Sequence, residues 1–261
     1  MHLRIRHEIQ CRFDVPARNL VSVLRLSPRS HEGQHVTDWW IDADIDCGLR
    51  AGDDEYGNLT HTFSTGGPIG GIKITAAGTV DTFDTAGVTR STAERLPIPI
   101  FLRETALTAA DEPLRAFAES CVAGQDSVLG KLHAIMDGVS GTIALETGTQ
   151  STSAIDTLAS RSGSQGAHAH LFIAAARHAG IPSRFVNGYL VRGRSGEATC
   201  HSWAEAHVSG LGWVGFDPLN NVCPRGEHVR GAVGLDSLGA SFVRGHHPNQ
   251  TTHLLKITVS S

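Results

Sequence analysis

A histidine and an aspartate in the second half of the chain have the residue types of a general base and the carboxylate that orients it. His201 begins a His-x-Trp-x-Glu segment, and Asp217 ends a Gly-Trp-x-x-x-Asp segment. Both segments have the pattern of strands, and the Gly-rich turn at residues 209–212 joins them as a hairpin. Asp217 is therefore expected within reach of His201, as in sites where the pair activates a nucleophile.

The natural place for that nucleophile is the start of a helix that precedes the hairpin. Residues 169–176 are almost continuously apolar, and Gly180 followed by Pro182 is a helix stop, so the sequence predicts a buried helix beginning near residue 165. Unpaired amides and the helix dipole favour negative charge there, which turns a cysteine into a thiolate near neutral pH. The residue at this position is Gln165, whose carboxamide cannot be activated in that way.

The strand that begins near residue 200 should present two different faces. Successive side chains of a strand alternate, so one face is expected to carry His201, Trp203, Glu205 and His207. Cys200 and Ser202 are expected on the opposite face. A thiol is therefore close to His201 in sequence but points away from it.

Taken together, these segments resemble the transglutaminase-like superfamily, a relative of papain-type thiol enzymes. The matching residues are Gly163, Ala169, Gly180-Ile-Pro-Ser-Arg184, His201-Ser-Trp-Ala-Glu205, and Gly212-Trp through Asp217-Pro218. The resemblance implies a Cys-His-Asp triad in that chain order, with His201 and Asp217 as the second and third members. It also places Gln165 at the cysteine, with Ala167 and His168 where the family usually has an acid and an aromatic residue.

The fold class expected from the sequence is α+β. Alternating segments and Gly/Asp/Asn-rich turns predict an antiparallel β-sandwich over residues 1–95. Pro97 and Pro99 stiffen a connector, after which helical spacing begins. Residues 105–261 are then expected to form a papain-like, transglutaminase-like α+β core that ends in a C-terminal strand over residues 252–259.

The resemblance extends to the N-terminal part of the chain. Bacterial transglutaminase-like proteins often carry a β domain there, and its counterparts in this sequence are His7, the segment Leu26-Ser-Pro-Arg29 and the turn from Asp54 to Asn58. The similarity therefore covers nearly the whole chain, although residues 163–218 carry its diagnostic motifs.

A triad without its cysteine implies a protein that retains the cleft but has lost the thiol chemistry. We expect it to bind a peptide or protein with amide-bearing side chains, or a protein partner such as an active paralogue. The triad-derived residues are Gln165, His201 and Asp217, and the candidate binding residues are Trp203, His168 and Ser164. The alternative is a working amide hydrolase or acyl transferase with a displaced nucleophile, either Ser164 or Cys200.

Composition excludes several other classes of function. A formal net charge of -4 and an isoelectric point near 6.4 do not indicate the basic surface that nucleic-acid binding requires. No apolar run has the length of a membrane span or the form of a signal peptide, so we expect no membrane partner and a cytoplasmic location. Five cysteines without C-x-x-C spacing indicate neither a disulfide framework nor a zinc-thiolate site. The segments around His168 and His201 contain no His-x-x-x-His or Glu-x-x-His ligand spacing. We therefore expect no metal and no cofactor.

Overall fold

The computed structural model describes residues 1–93, 95–146, 152–192, 197–245 and 250–260. Its N-terminal part is an antiparallel sheet built on two long strands that pair along most of their length. The strands of this part are β1 (His2–Ser27), β2 (Gln34–Ala43), β3 (Arg50–Asp53), β4 (Leu59–Thr82) and the short β5 (Val88–Thr89). Along the first half of β1, buried apolar residues alternate with exposed ones, which is the period-two pattern of a half-buried strand.

The predicted antiparallel β region is confirmed, but β1 to β4 join one hydrogen-bonded sheet instead of the two sheets of a sandwich. The register of the β1–β4 ladder shifts between Arg12 and Ala17, and such bulges bend a strand. Ile5 and Leu24 lie on either side of this shift, yet both belong to the same hydrophobic core. The alternation in the sequence is interrupted at this shift, so the pattern indicates two segments where the structure has one bent strand.

Most of the rest of the chain forms the mixed α+β core that was predicted, while its last two strands join the N-terminal sheet. A 3-10 helix at Ile98–Leu102 occupies the Pro-rich connector. The remaining elements are α1 (Glu112–Val122), α2 (Val128–Thr142), β6 (Ala144–Leu145), α3 (Ala154–Ser160), β7 (Ser162–Gly163), α4 (Gln165–His178), β8 (Ser183–Arg192), β9 (Glu197–Val208), β10 (Gly212–Phe216), β11 (His228–Gly234), β12 (Val243–Gly245) and β13 (Gln250–Ser260). Within the described residues, no helix is long and apolar enough to cross a membrane.

Helix α4 is the central element of the core. Every residue from Ala167 to Arg177 is buried, because α4 packs against the other three helices on one side and against β8 and β9 on the other. Its start is capped by the Ser164 side chain, and Gly180 beyond its end adopts a φ of +76°. This left-handed conformation suits glycine and terminates the helix where the sequence predicted. The first residue of α4, Gln165, thereby lies against the sheet, where its side chain hydrogen-bonds to β9.

The two parts of the chain exchange strands. The predicted C-terminal strand exists, but β13 pairs antiparallel with β1 along the N-terminal sheet, from His2 opposite Ser260 to Arg12 opposite Gln250. In the other direction, β5 pairs with β10 and completes a core sheet of order β11-β8-β9-β10-β5. These pairings connect residues that are far apart in sequence, so local periodicity does not reveal them.

Candidate functional site

The side chain of Gln165 lies between the start of α4 and strand β9. Its Oε1 is 2.9 Å from Nδ1 of His201, and its Nε2 donates a hydrogen bond to the backbone carbonyl of Cys200 at 3.0 Å. A carbonyl oxygen can only accept, so the amino group must face Cys200 and the oxygen must face His201. The His201 ring therefore donates from Nδ1 to Gln165.

The other nitrogen of His201 faces Asp217 on the neighbouring strand. Nε2 lies 2.6 Å from Oδ2 of Asp217, and both side chains are buried. Asn220 donates from Nδ2 to the same oxygen at 2.7 Å. Burial alone would raise the pKa of Asp217, but hydrogen bonds from His201, His228 and Asn220 hold it well below its ordinary value. Asp217 is therefore a carboxylate, and the predicted proximity of His201 and Asp217 is observed.

These contacts restrict what the His201 ring can do chemically. Both of its nitrogens face acceptors, the Gln165 oxygen and the Asp217 carboxylate. In this geometry each ring nitrogen of His201 faces a side chain, Gln165 or Asp217, that cannot act as a thiol or hydroxyl nucleophile.

A second histidine at the site was missed by sequence reasoning. His228, at the start of β11, has its Nε2 3.2 Å from Oδ2 of Asp217, and its side chain is 6% exposed. Its Nδ1 accepts a hydrogen bond from the backbone N–H of Arg225, which fixes the proton on Nε2. His228 follows Asp217 by eleven residues across a loop, and such a separation carries no periodic signal.

Trp203 forms a wall of the site and is itself buried. Its ring is stacked near His201, with centroids 6.1 Å apart, and meets His228 edge-on at 5.4 Å. Gly188 of β8 makes room for it, because a Cβ atom there would lie 2.8 Å from the indole. At 2% exposure, Trp203 packs the site and presents almost no surface to a ligand, in contrast to the binding role expected for it.

The structure gives Ser164 and His168 roles within the protein rather than in a cleft. The hydroxyl of Ser164 accepts from the backbone N–H of Ala167 and caps α4. The buried His168 ring has Nδ1 2.9 Å from the carbonyl of Ser164 and Nε2 3.2 Å from the carbonyl of Ile143. Their contacts fix the start of the helix, so the expectation that they bind a ligand has no support in the geometry.

Cys200 lies on the opposite face of β9 from His201, as the alternation of the strand predicted. Its Sγ is 3.8 Å from Nε2 of His7, on the side of the N-terminal sheet. Burial raises the pKa of the Cys200 thiol to about 11, so the thiol stays protonated at neutral pH. It is not placed or poised to act with His201.

Two motif residues of the core form a buried ion network beside the site. Glu205 accepts from Nε of Arg184 at 2.7 Å and from Nε of Arg230 at 2.8 Å. Burial would raise the pKa of Glu205, but the two guanidinium groups lower it to about 2. Arg184 also stacks on Trp213 with its Cζ 3.8 Å from the ring centroid. The network explains why an arginine and a glutamate stand in the two motifs, since residues 184 and 205 are direct cross-strand partners.

An open groove borders the site where Asn220 and His228 reach the surface. Its volume is about 270 Å³. The other residues that line it are Leu190, Val191, Val222, Cys223, Arg225 and Glu227. The walls are thus largely apolar, and the charged residues Arg225 and Glu227 have opposite signs.

Comparison with known proteins supports the family resemblance. Residues 115–218, which contain Gln165, His201 and Asp217, match the transglutaminase-like superfamily. The core is transglutaminase-like. Residues 3–81 match the bacterial transglutaminase-like N-terminal region, so the family resemblance seen in the sequence is confirmed for both parts of the chain.

Two relatives illustrate the similarity of the transglutaminase-like core and its N-terminal region. The crystal structure of a candidate cysteine protease from Cytophaga hutchinsonii superposes with a TM-score of 0.78 at 20% identity, covering 100% of this chain and 92% of the other. At that identity the likeness shows the fold alone. An uncharacterized protein of Mycobacterium leprae is 31% identical over 97 residues. That match covers 35% of this chain and 34% of the relative, about a third of its length.

Proposed function

We propose that this transglutaminase-like protein has lost thiol chemistry and binds a peptide or protein partner through an amide group. The observation that carries the proposal is the position of Gln165. Its carboxamide occupies the helix start where a thiolate would form, and it is hydrogen-bonded both to His201 and to the Cys200 carbonyl. A carboxamide forms no covalent acyl intermediate at neutral pH, so the retained His201–Asp217 pair has no nucleophile to activate.

The geometry also argues against a displaced nucleophile. Among the described residues, the ring of His201 hydrogen-bonds to the side chains of Gln165 and Asp217. Ser164 uses its hydroxyl as a helix cap, and Cys200 faces the other side of the sheet. A nucleophile must reach its base within roughly 3 Å, and neither group is directed at His201.

The groove beside Asn220 and His228 is the surface proposed for the partner. Asn220 donates to Asp217, which leaves its own Oδ1 as an acceptor at the groove end. The walls formed by Leu190 and Val222 suit an aliphatic stem, and the opposite charges of the groove's arginine and glutamate cancel. Such a surface favours a neutral polar group, such as a carboxamide or a peptide bond, over an ion.

Fluorescence anisotropy with labelled glutamine-containing peptides tests this proposal. The full chain should bind such peptides more tightly than matched peptides in which glutamate replaces glutamine. Val222→Arg places a charge in the groove and should weaken binding by about tenfold or more, equivalent to about 1.4 kcal/mol. The matched control is Val128→Arg, since Val128 is similarly exposed but lies at the start of α2. Equal binding by both variants, or no preference for glutamine, would refute the assignment of the groove.

A further inference from the structure

The face of β9 opposite His201 carries a second cluster of polar side chains, which the proposed function does not use. There the Cys200 thiol meets two imidazoles from the N-terminal sheet, His7 of β1 and His253 of β13. Nε2 of His7 lies 3.0 Å from Nδ1 of His253 and 3.8 Å from Sγ of Cys200. Two nitrogens and one sulfur, carried by three strands from distant parts of the chain, thus lie within 4.8 Å of one another.

We infer that His7, Cys200 and His253 form a zinc site with one open coordination position. Zinc binds histidine nitrogen at about 2.0–2.1 Å and cysteine sulfur at about 2.3 Å. In a tetrahedral site these bond lengths place two nitrogens ~3.3 Å apart and a nitrogen and a sulfur ~3.5 Å apart. The observed separations of 3.0 and 3.8 Å are each within a few tenths of an ångström of these values.

The surroundings of His7 match those of a metal-binding histidine. Its ring is fully buried, and its other nitrogen, Nδ1, lies 3.1 Å from the hydroxyl of Tyr189. A hydrogen bond at the second nitrogen fixes the orientation of a ligating imidazole and the position of its proton. With the proton on Nδ1 and donated to Tyr189, the lone pair of Nε2 is directed at the cluster.

The proton balance and the ligand types favour zinc over hard cations. When Zn²⁺ binds, the Cys200 thiol releases its proton to solvent and the sulfur binds as thiolate, while both imidazoles bind as neutral rings. A thiolate with two imidazoles selects zinc over Mg²⁺ and Ca²⁺, which prefer oxygen ligands. His253 is exposed and Cys200 is partly exposed, so the ion can enter from solvent and a water can complete the coordination.

The His201–Asp217–His228 cluster is a weaker candidate for the same ion. Both histidine nitrogens already contact one carboxylate oxygen of Asp217, at 2.6 and 3.2 Å. The shorter distance is well below the ~3.2 Å expected between two ligand atoms of one zinc ion. Asn220 also donates to this oxygen, so Asp217 is satisfied by hydrogen bonds without a metal.

Cobalt substitution of the full chain, first stripped of metal with a chelator, tests the inference. Co²⁺ should bind with a stoichiometry of one per chain and give a sulfur-to-cobalt charge-transfer absorption that added Zn²⁺ abolishes. Cys200→Ser should lose this absorption, and His253→Gln should weaken Co²⁺ binding by at least about tenfold. The control Cys47→Ser changes a partly buried cysteine outside the cluster and should bind Co²⁺ like the unaltered protein.

Thermal unfolding gives an independent measure if a variant is destabilised. Zn²⁺ should raise the unfolding temperature of the unaltered protein and of Cys47→Ser, but not that of Cys200→Ser or His253→Gln, because a ligand bound to the folded state stabilises it. His253 is exposed, so its replacement should leave the fold intact. A cobalt spectrum without a thiolate band, or Co²⁺ binding that survives Cys200→Ser and disappears in His228→Gln, would overturn the assignment.

Discussion

The carboxamide oxygen of Gln165 lies 2.9 Å from Nδ1 of His201, at the helix start where the family resemblance of the sequence places a cysteine. The amide thus occupies the nucleophile's place and holds the histidine by the nitrogen that a thiol would use. On the other side of the ring, Asp217 keeps the geometry of an orienting carboxylate. The histidine and its orienting carboxylate are thus both present, and the side chain that faces the histidine offers a hydrogen-bond acceptor.

A cysteine introduced at this position should be reactive. In Gln165→Cys the thiol would stand at the N-terminus of α4 beside His201, and both surroundings stabilise a thiolate. Iodoacetamide at neutral pH should therefore alkylate it faster than the five native thiols, whose pKa values are all raised by burial. Peptide mapping by mass spectrometry measures the rate at each site.

The double variant Gln165→Cys/His201→Ala is the control for that experiment. Removing the imidazole should slow alkylation of the introduced thiol, because the cationic partner of the thiolate is lost. Amide turnover by Gln165→Cys should recover little, since Ala167 and His168 also differ from the family pattern. If the introduced thiol were alkylated no faster than the five native thiols, the helix start would not activate a thiol.

The buried network around Glu205 should be essential for stability. Glu205→Gln leaves the guanidinium groups of Arg184 and Arg230 without a full counter-charge, and breaking a buried pair in this way costs about 3–5 kcal/mol. Glu119→Gln, which removes an exposed partner of His178, should cost less than about 1 kcal/mol. Urea unfolding of both variants gives the comparison, and equal losses would contradict the account of the network.

Acid should destabilise the fold through buried histidines. Burial is the main cause that lowers the pKa of His7 to about 3 and the pKa values of His31 and His170 to about 4. Their contribution to stability is complete above the unfolded pKa near 6.5 and is lost as pH falls towards the folded values. Each histidine should then lower the free energy of unfolding by up to about 1.4 kcal/mol per pH unit.

His170 allows this pH dependence to be assigned. Its Nδ1 donates to the Thr152 carbonyl at 3.0 Å, and its Nε2 accepts from the backbone N–H of Ser237 at 3.1 Å. Protonation of Nε2 would therefore break the hydrogen bond with Ser237. His170→Gln should flatten the dependence of unfolding free energy on pH between 6 and 5, measured by urea unfolding with a chelator present. An unchanged slope would show that His170 does not take up a proton on unfolding in this range.

The sequence predicted those features that depend on local spacing. The apolar run and its Gly-x-Pro stop placed α4, and period-two alternation placed His201 and Cys200 on opposite faces of β9. The hairpin brought Asp217 to His201 because one short turn connects their strands. These features depend on residues that are close together in the sequence, so a single sequence is sufficient to predict them.

The features that the sequence did not predict depend on contacts between distant segments. Pairing of β13 with β1 joins the two ends of the chain, and it brings His253 to His7 across more than two hundred residues. A loop brings His228 to Asp217, and a loop has no periodic sequence pattern from which the contact could be predicted. The same applies to the single bent sheet, since a bulge appears in the sequence as a break between strands.

The central claim is that the protein performs no thiol-dependent amide chemistry, and a turnover assay tests it most directly. The full chain is incubated with a glutaminyl peptide and a primary amine, and released ammonia and transamidated product are both measured. We predict no more of either than with His201→Ala, and no change after treatment with iodoacetamide. Turnover above that background, abolished by Cys200→Ser or Ser164→Ala in a folded protein, would show that the nucleophile has moved and would contradict the account.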